Sequence, residues 1–113
     1  MDCLFCKIVH RQIPAAIRYE DDMIMAFDDI DPKAPQHLLI VPKKHIATIN
    51  DLESTDAELV GRMLLVGKDL AKAANIAEAG YRVVVNCNAD GGQAVYHIHM
   101  HILGGRSMHW PPG

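Results

Sequence analysis

His97-Ile98-His99-Met100-His101-Ile102, near the C-terminal end of the chain, alternates imidazole and apolar side chains. Strand side chains point to opposite faces in turn, so this period of two, flanked by Val95 and Leu103, predicts a β-strand over 95–103. The three imidazoles then share one face, about 6.5–7 Å from one to the next, and Ile98, Met100 and Ile102 pack on the other. Histidine is a poor strand former and costs something to bury. Three in register therefore point to a centre that attacks, donates protons and holds an anion near neutral pH. A zinc site of three histidines with an open fourth position is the rival reading. No carboxylate base is evident beside the run to serve it.

The strand has a sequence context on its N-terminal side. Asp90-Gly91-Gly92-Gln93 reads as a tight turn with glycines free to take positive φ, preceded by a strand over Tyr81–Cys87. The glycine pattern does not fit a Rossmann or P-loop turn, and no strand-to-helix junction follows it. Gly80 closes the region of the one long helix, which starts near Ser54 and Thr55. Thr55 and Glu58 fit a capping box, and Leu59, Met63, Val66, Leu70 and Ala74 recur at helical spacing. Gly61 and Gly67 each weaken that helix by about 1 kcal/mol relative to alanine, which suggests close packing on a sheet. Upstream, Ala16–Tyr19, Met23–Asp28 and His37–Val41 read as strands. Pro42 stops the last of them, and residues 3–10 form a short helix ended at Ile13-Pro14. Strands, then a long helix, then a hairpin predict an α+β fold with a five-stranded antiparallel sheet, one long helix and one short.

The 113 residues are expected to form one domain, 1–113. Half the chain is apolar, enough for one core, yet a domain this small gains from dimerising. The net charge of −3 leaves no basic excess, so general nucleic-acid binding is not expected. No apolar run approaches the roughly 20 residues of a membrane span. Met1-Asp2-Cys3-Leu4-Phe5-Cys6-Lys7 lacks the form of a signal peptide. Three cysteines, two of them in Cys3-x-x-Cys6, do not resemble a secreted disulfide framework, and a cytoplasmic setting with reduced thiols is expected.

The run from His97 to Leu103 resembles the histidine triad motif, His-φ-His-φ-His-φ-φ. Phe5-Cys6-Lys7-Ile8-Val9, Ile13-Pro14-Ala15, Ala34-Pro35-Gln36-His37, Pro42-Lys43-Lys44-His45, Gly80-Tyr81-Arg82, Gly91-Gly92-Gln93 and Trp110-Pro111-Pro112-Gly113 are similar, in the same order, to the Hint branch of that family. The resemblance covers essentially the whole chain. It implies a homodimer whose two sheets join into one of ten strands. It implies binding of purine nucleoside monophosphates and hydrolysis of phosphoramidates, AMP bonded to an amine or a lysine. His99 would be the nucleophile and form a nucleotidyl-histidine. His101 would hold a phosphate oxygen, while His97 and His37 orient the centre and relay protons. Asn86 and Gln93 would contact phosphate, and Asp29 the ribose hydroxyls. Phe5, Ile8, Ile13, Phe27, Ile30 and Leu39 would form the base slot, and Trp110 would reach the partner subunit. No metal or other cofactor is needed for this chemistry.

Two positions depart from the pattern. Ala94 stands where many relatives carry serine, which removes one hydrogen bond to phosphate and leaving group, typically ~1 kcal/mol net. Reduced turnover with the mechanism retained is the expectation. Cys3 and Cys6 are absent from many Hint proteins. In bacterial relatives that have them, His45 and His97 complete a structural zinc site, and two idle thiols are the alternative. His97 cannot be both a ligand and a free proton relay. Other functions stay open at this point: a nucleotide-binding regulatory or scaffold protein with vestigial activity, or a dinucleoside polyphosphate hydrolase. The Trp110–Gly113 ending argues against the last.

Overall fold

A computed structural model describes residues 2–113. The chain runs α1 (Leu4–Val9), β1 (Ile17–Glu20), β2 (Ile24–Asp28), β3 (Gln36–Pro42), α2 (Ala57–Ala73), β4 (Tyr81–Val84), α3 (Asn88–Gly91) and β5 (Met100–Gly104). Two single turns of 3₁₀ helix, Ile49–Asp51 and Ser54–Asp56, precede α2. The five strands form one antiparallel sheet in the order β1-β2-β3-β5-β4. The last strand is thus inserted between β3 and β4.

The pleat divides the sheet into two chemically different faces. Ile24, Ala26, Leu38, Ile40, Met100 and Ile102 share one face and pack with Leu59, Met63, Val66 and Ala71 of α2. Met25, Phe27, Leu39 and Val41 share the other and pack with Phe5 and Ile8 of α1. The register pairs Leu39 with His101 and His37 with Leu103, so both histidines stand on the α1 face. The helix-covered core holds the scaffold, and the α1 face is left for chemistry.

Local chemistry explains the joints. Asp21 Oδ1 accepts from the backbone N–H groups of Met23 and Ile24, at 2.8 and 2.9 Å, and so builds the β1–β2 turn. At the start of α2 the expected pairing of Thr55 with Glu58 gives way to Asp56. Its buried carboxylate accepts from Glu53 N at 2.9 Å and from Lys44 Nζ at 2.8 Å. Gly67 faces the sheet as expected: a Cβ there would lie 2.9 Å from Ile102 Cδ1 and 3.0 Å from Ile40 Cδ1. Gly61 does not, since a Cβ there would meet nothing within 4 Å. The expected turn at Asp90–Gln93 is the end of α3, and of its two glycines only Gly92 takes a positive φ, +82°.

Both C-terminal strands are shorter than the sequence pattern suggests. The ladder of β5 begins at Met100 rather than Val95, and β4 stops at Val84 rather than Cys87. The cause for β5 lies in its neighbour. β3 ends at Pro42, which has no N–H to continue the ladder opposite residues 97–99. Ile98 N instead donates to Ile46 O at 2.7 Å. The apolar alternation persists through the irregular stretch, because Ile98, Met100 and Ile102 all join the helix-side core.

Candidate active site

His99 lies on the α1 face, against Phe5, with ring centroids 5.0 Å apart. Its Nδ1 is 2.8 Å from the backbone carbonyl of His97. A carbonyl only accepts, so Nδ1 carries the proton, and Nε2 is left with a lone pair. This is the tautomer a nucleophilic imidazole needs.

A second chain of hydrogen bonds sets His101. The backbone N–H of Lys33 donates to His37 Nδ1 at 3.0 Å, so the neutral His37 ring carries its proton on Nε2. That N–H faces His101 Nδ1 at 2.9 Å and Asp29 Oδ2 at 3.4 Å. With Nδ1 accepting, His101 is left with its proton on Nε2, and that buried nitrogen has no partner among the described residues. Burial first, then the neighbouring His99 and His37 rings, push His101 down to about 4. Burial likewise lowers His37, against the opposing pull of Asp29. Both rings are therefore neutral near pH 7.

His99 and His101 stand at the wall of an apolar cleft of about 240 Å³. Phe5, Ile8, Ile13, Phe27, Ile30 and Leu39 all line it, with Asp29 and Ala94. Ile30 is 97% exposed, an apolar side chain held in the open at the rim. Asp29 Oδ1 accepts from Asp31 N at 2.8 Å, which fixes its carboxylate beside the cleft.

Three sequence-identified residues stand elsewhere. Neither Asn86 nor Gln93 lines the cleft. Gln93 is buried and its amide is fully engaged: Nε2 donates to Ala47 O and Val95 O at 2.8 and 3.0 Å, and Oε1 accepts from Asn88 N at 2.9 Å. In this arrangement it ties the 88–95 segment together and has no donor left for phosphate. His97 is fully buried and turned away from the cleft. Its Nε2 donates to Pro42 O at 2.7 Å, and burial holds the ring below its ordinary pKa.

The remaining nitrogen of His97 explains that orientation. Nδ1 lies 3.3 Å from Cys3 Sγ, 3.5 Å from Cys6 Sγ and 3.1 Å from His45 Nδ1, and Cys6 Sγ is 3.4 Å from His45 Nδ1. The four ligand atoms all lie within 4.8 Å of one another. Tetrahedral zinc, with Zn–S about 2.3 Å and Zn–N about 2.0–2.1 Å, requires edges of roughly 3.4–3.8 Å. The donor set and its spacing fit that ion. The Pro42 carbonyl supplies the outer bond that zinc-ligating histidines commonly make. Asp29, His37 and His101 also bring one atom each within 4.8 Å. There the Lys33 N–H and the His37–His101 bond occupy the nitrogens a cation would need. The three histidines of the triad run do not converge on one point, and the catalytic three-histidine zinc centre has no geometry to support it.

The chain is similar to known proteins over nearly its whole length. Residues 2–110 match the family model described as "Scavenger mRNA decapping enzyme C-term binding". The chain is 49% identical over 107 residues to a purine nucleoside phosphoramidase of Escherichia coli (strain K12), covering 95% of this chain and 90% of that protein. A crystal structure of a HIT family hydrolase from Legionella pneumophila superposes with a TM-score of 0.97 at 59% identity, covering 99% of this chain and 100% of that one. A histidine triad protein from Clostridium difficile gives 0.92 at 44%, over 96% of this chain and 94% of its own.

Proposed function

The chain belongs to the histidine triad family, and from that premise we propose that it is a purine nucleoside phosphoramidase, hydrolysing the P–N bond of nucleoside 5′-monophosphoramidates. The observation that carries the reading is the His99 Nδ1–H bond to His97 O, which leaves Nε2 as a lone pair beside an apolar cleft.

In the first half-reaction His99 Nε2 attacks phosphorus and forms a P–N bond. The bond to the amine breaks, and its electron pair goes to the departing nitrogen with a proton from solvent. The cationic nucleotidyl-imidazole gains from the carbonyl already bonded to Nδ1. Water then attacks phosphorus, the pair returns to Nε2, and the nucleoside monophosphate leaves. His101 Nε2–H, neutral and unpaired, is suited to a phosphoryl oxygen, with His37 holding it. Asp29 takes the ribose hydroxyls. The purine fills the slot from Phe5 to Leu39, covering Ile30. An apolar slot with few donors takes adenine or guanine with little discrimination.

His97 acts through its carbonyl and not as a proton relay. Cys3, Cys6, His45 and His97 would hold zinc, and the ion would supply structure there, since all four ligands come from protein. Residues 1–113 act as one domain, and two copies join through their sheets, with Trp110 serving the partner's cleft.

The test is hydrolysis of an adenosine phosphoramidate by the wild type and by His99→Ala, with and without chelator. Turnover absent in the variant and retained after chelation is expected. Tight AMP binding by a wild type without turnover would replace this reading with a nucleotide-binding role and put Ala94, on the cleft wall, under suspicion.

A further inference from the structure

We propose that Arg106, outside the histidine run, is a positioning residue that sets the protonation pattern of the His37–His101 pair through the backbone of Lys33. Arg106 follows β5 and is exposed. Its guanidinium donates twice to Lys33 O, from Nε at 3.2 Å and Nη2 at 2.9 Å. Lys33 lies in the loop between β2 and β3. The other hydrogen bonds of that loop stay within it or go to His37, so among the described residues Arg106 alone ties it to another segment. Gly105 brings the two together. It takes φ +91°, and a Cβ there would lie 2.8 Å from Pro35 Cβ.

The same residue whose carbonyl Arg106 holds uses its N–H to fix His37. The chain of consequences is discrete. With Lys33 N–H on Nδ1, His37 keeps its proton on Nε2 and donates it to His101 Nδ1 at 2.9 Å, Asp29 Oδ2 lying farther off at 3.4 Å. His101 then presents Nε2–H. If the Lys33 N–H withdraws, His37 can take its proton on Nδ1 and accept from His101 Nδ1–H. His101 would then present a lone pair to a phosphoryl oxygen, which repels it. One backbone donor thus decides between attraction and repulsion at the reacting group, and Arg106 holds that donor in place. A neutral ring has only these two forms, and the preference between them is set by whichever partner is held nearby.

The kinetic part of this inference rests on the phosphoramidase reading, and the tautomer part does not. The experiment is long-range ¹H–¹⁵N NMR of the imidazoles in the free protein, with kinetics on an adenosine phosphoramidate, for wild type, Arg106→Ala and Arg106→Lys. In the wild type His37 and His101 should both be Nε2–H and His99 Nδ1–H. In Arg106→Ala the first two should become mixtures while His99, which hangs on a different carbonyl, stays as it is and serves as the control for the fold. The expected kinetic effect is about a tenfold loss in kcat with KM within about twofold, because the defect lies in geometry at the reacting group and not in base or ribose binding. Arg106→Lys, which can still donate once, should recover part of both. Unchanged tautomers in Arg106→Ala, unchanged kcat in an active enzyme whose tautomers have mixed, or a lysine variant no better than alanine would each overturn the proposal. A wild type with no turnover would fail the phosphoramidase reading alone, and the tautomer shift would still decide this one.

Discussion

The decisive information at the residue scale is which nitrogen carries a proton. His97 O holds His99 in one tautomer, and Lys33 N holds His37, and through it His101, in another. None of this was legible in the sequence, because the determinants are a backbone carbonyl and a backbone N–H, groups that nearly every residue carries. Residue type and spacing did identify the imidazoles of the triad run, whereas Phe5, Ile8, Ile13, Phe27, Ile30 and Leu39, six of the apolar residues that line the cleft, were indicated only by the family resemblance, since by type alone they read as core. It could not separate His97 from His99 and His101, since period two puts all three on one face. Their division depends on Pro42 and on two cysteines far away in the chain. His101 yields a test with a definite sign. Its native pKa of about 4 lies below the ordinary 6.5 of the unfolded chain. Between those values the unfolded chain binds more protons, so the contribution is complete above pH 6.5 and is lost as pH falls towards 4, on the order of 3 kcal/mol at most. His101→Gln should flatten the fall in Tm across that window relative to wild type. The NMR titration of His101 should show no midpoint above pH 5. A midpoint near 6.5, or the same acid limb in both proteins, would refute it.

Among the elements, α1 is the one that local propensity cannot sustain. It has six residues, and isolated helices shorter than about 12 are marginal. Cys3 Sγ caps it by accepting from Cys6 N at 3.3 Å, while Phe5 and Ile8 pack on the sheet. Both cysteines also face His45 and His97. Zinc bound there would pin α1 to the β3 end and to the triad run, and thereby hold one wall of the base slot. Purified protein should contain about one zinc per chain. Chelation should lower Tm by at least about 4 °C, the shift that roughly 1 kcal/mol produces in a chain of this size. Cys6→Ser should show the lowered Tm from the start and no further response to chelator. A metal-free wild type with unchanged Tm would leave the cluster as two thiols and two imidazoles without this role. The strands β1 to β3 and the course of α2 were legible, because alternation and helical spacing report burial directly. The N-terminal limit of β5 was not. Alternation continued past the point where the partner strand ran out of donors at Pro42, and side-chain pattern does not register a missing backbone N–H.

For the whole molecule, the two edges of the sheet are treated differently. β1 is guarded by charge: Arg18 pairs with Asp28, and Glu20 with Arg11 and Lys43. Ionic side chains on an edge discourage pairing with another chain. β4 carries Tyr81, Arg82, Val83 and Val84, with Val83 exposed, and its outer backbone groups have no strand beside them. Elsewhere α2 leaves Leu64 and Leu65 half exposed, at 51% and 57%, and Trp110 is 83% exposed in a tail that Arg82 holds through His109 O at 2.7 Å. A chain this short buries a smaller fraction of its surface than a larger domain does, and an open apolar edge beside an exposed tryptophan is a surface suited to a second copy. Sedimentation should therefore give about twice the 12.5 kDa chain mass. Val83→Arg places like charges across the two-fold axis of a β4–β4 pair and should shift the protein towards monomer. Base binding depends on a cleft built within one chain, so AMP affinity should change little. Ranking of amine leaving groups should change, as it should on deleting residues 108–113, because in the proposed dimer both changes would take Trp110 away from the partner's cleft. A wild type that sediments as a monomer, or a Val83→Arg monomer with an unaltered ranking, would confine the active site to the single chain.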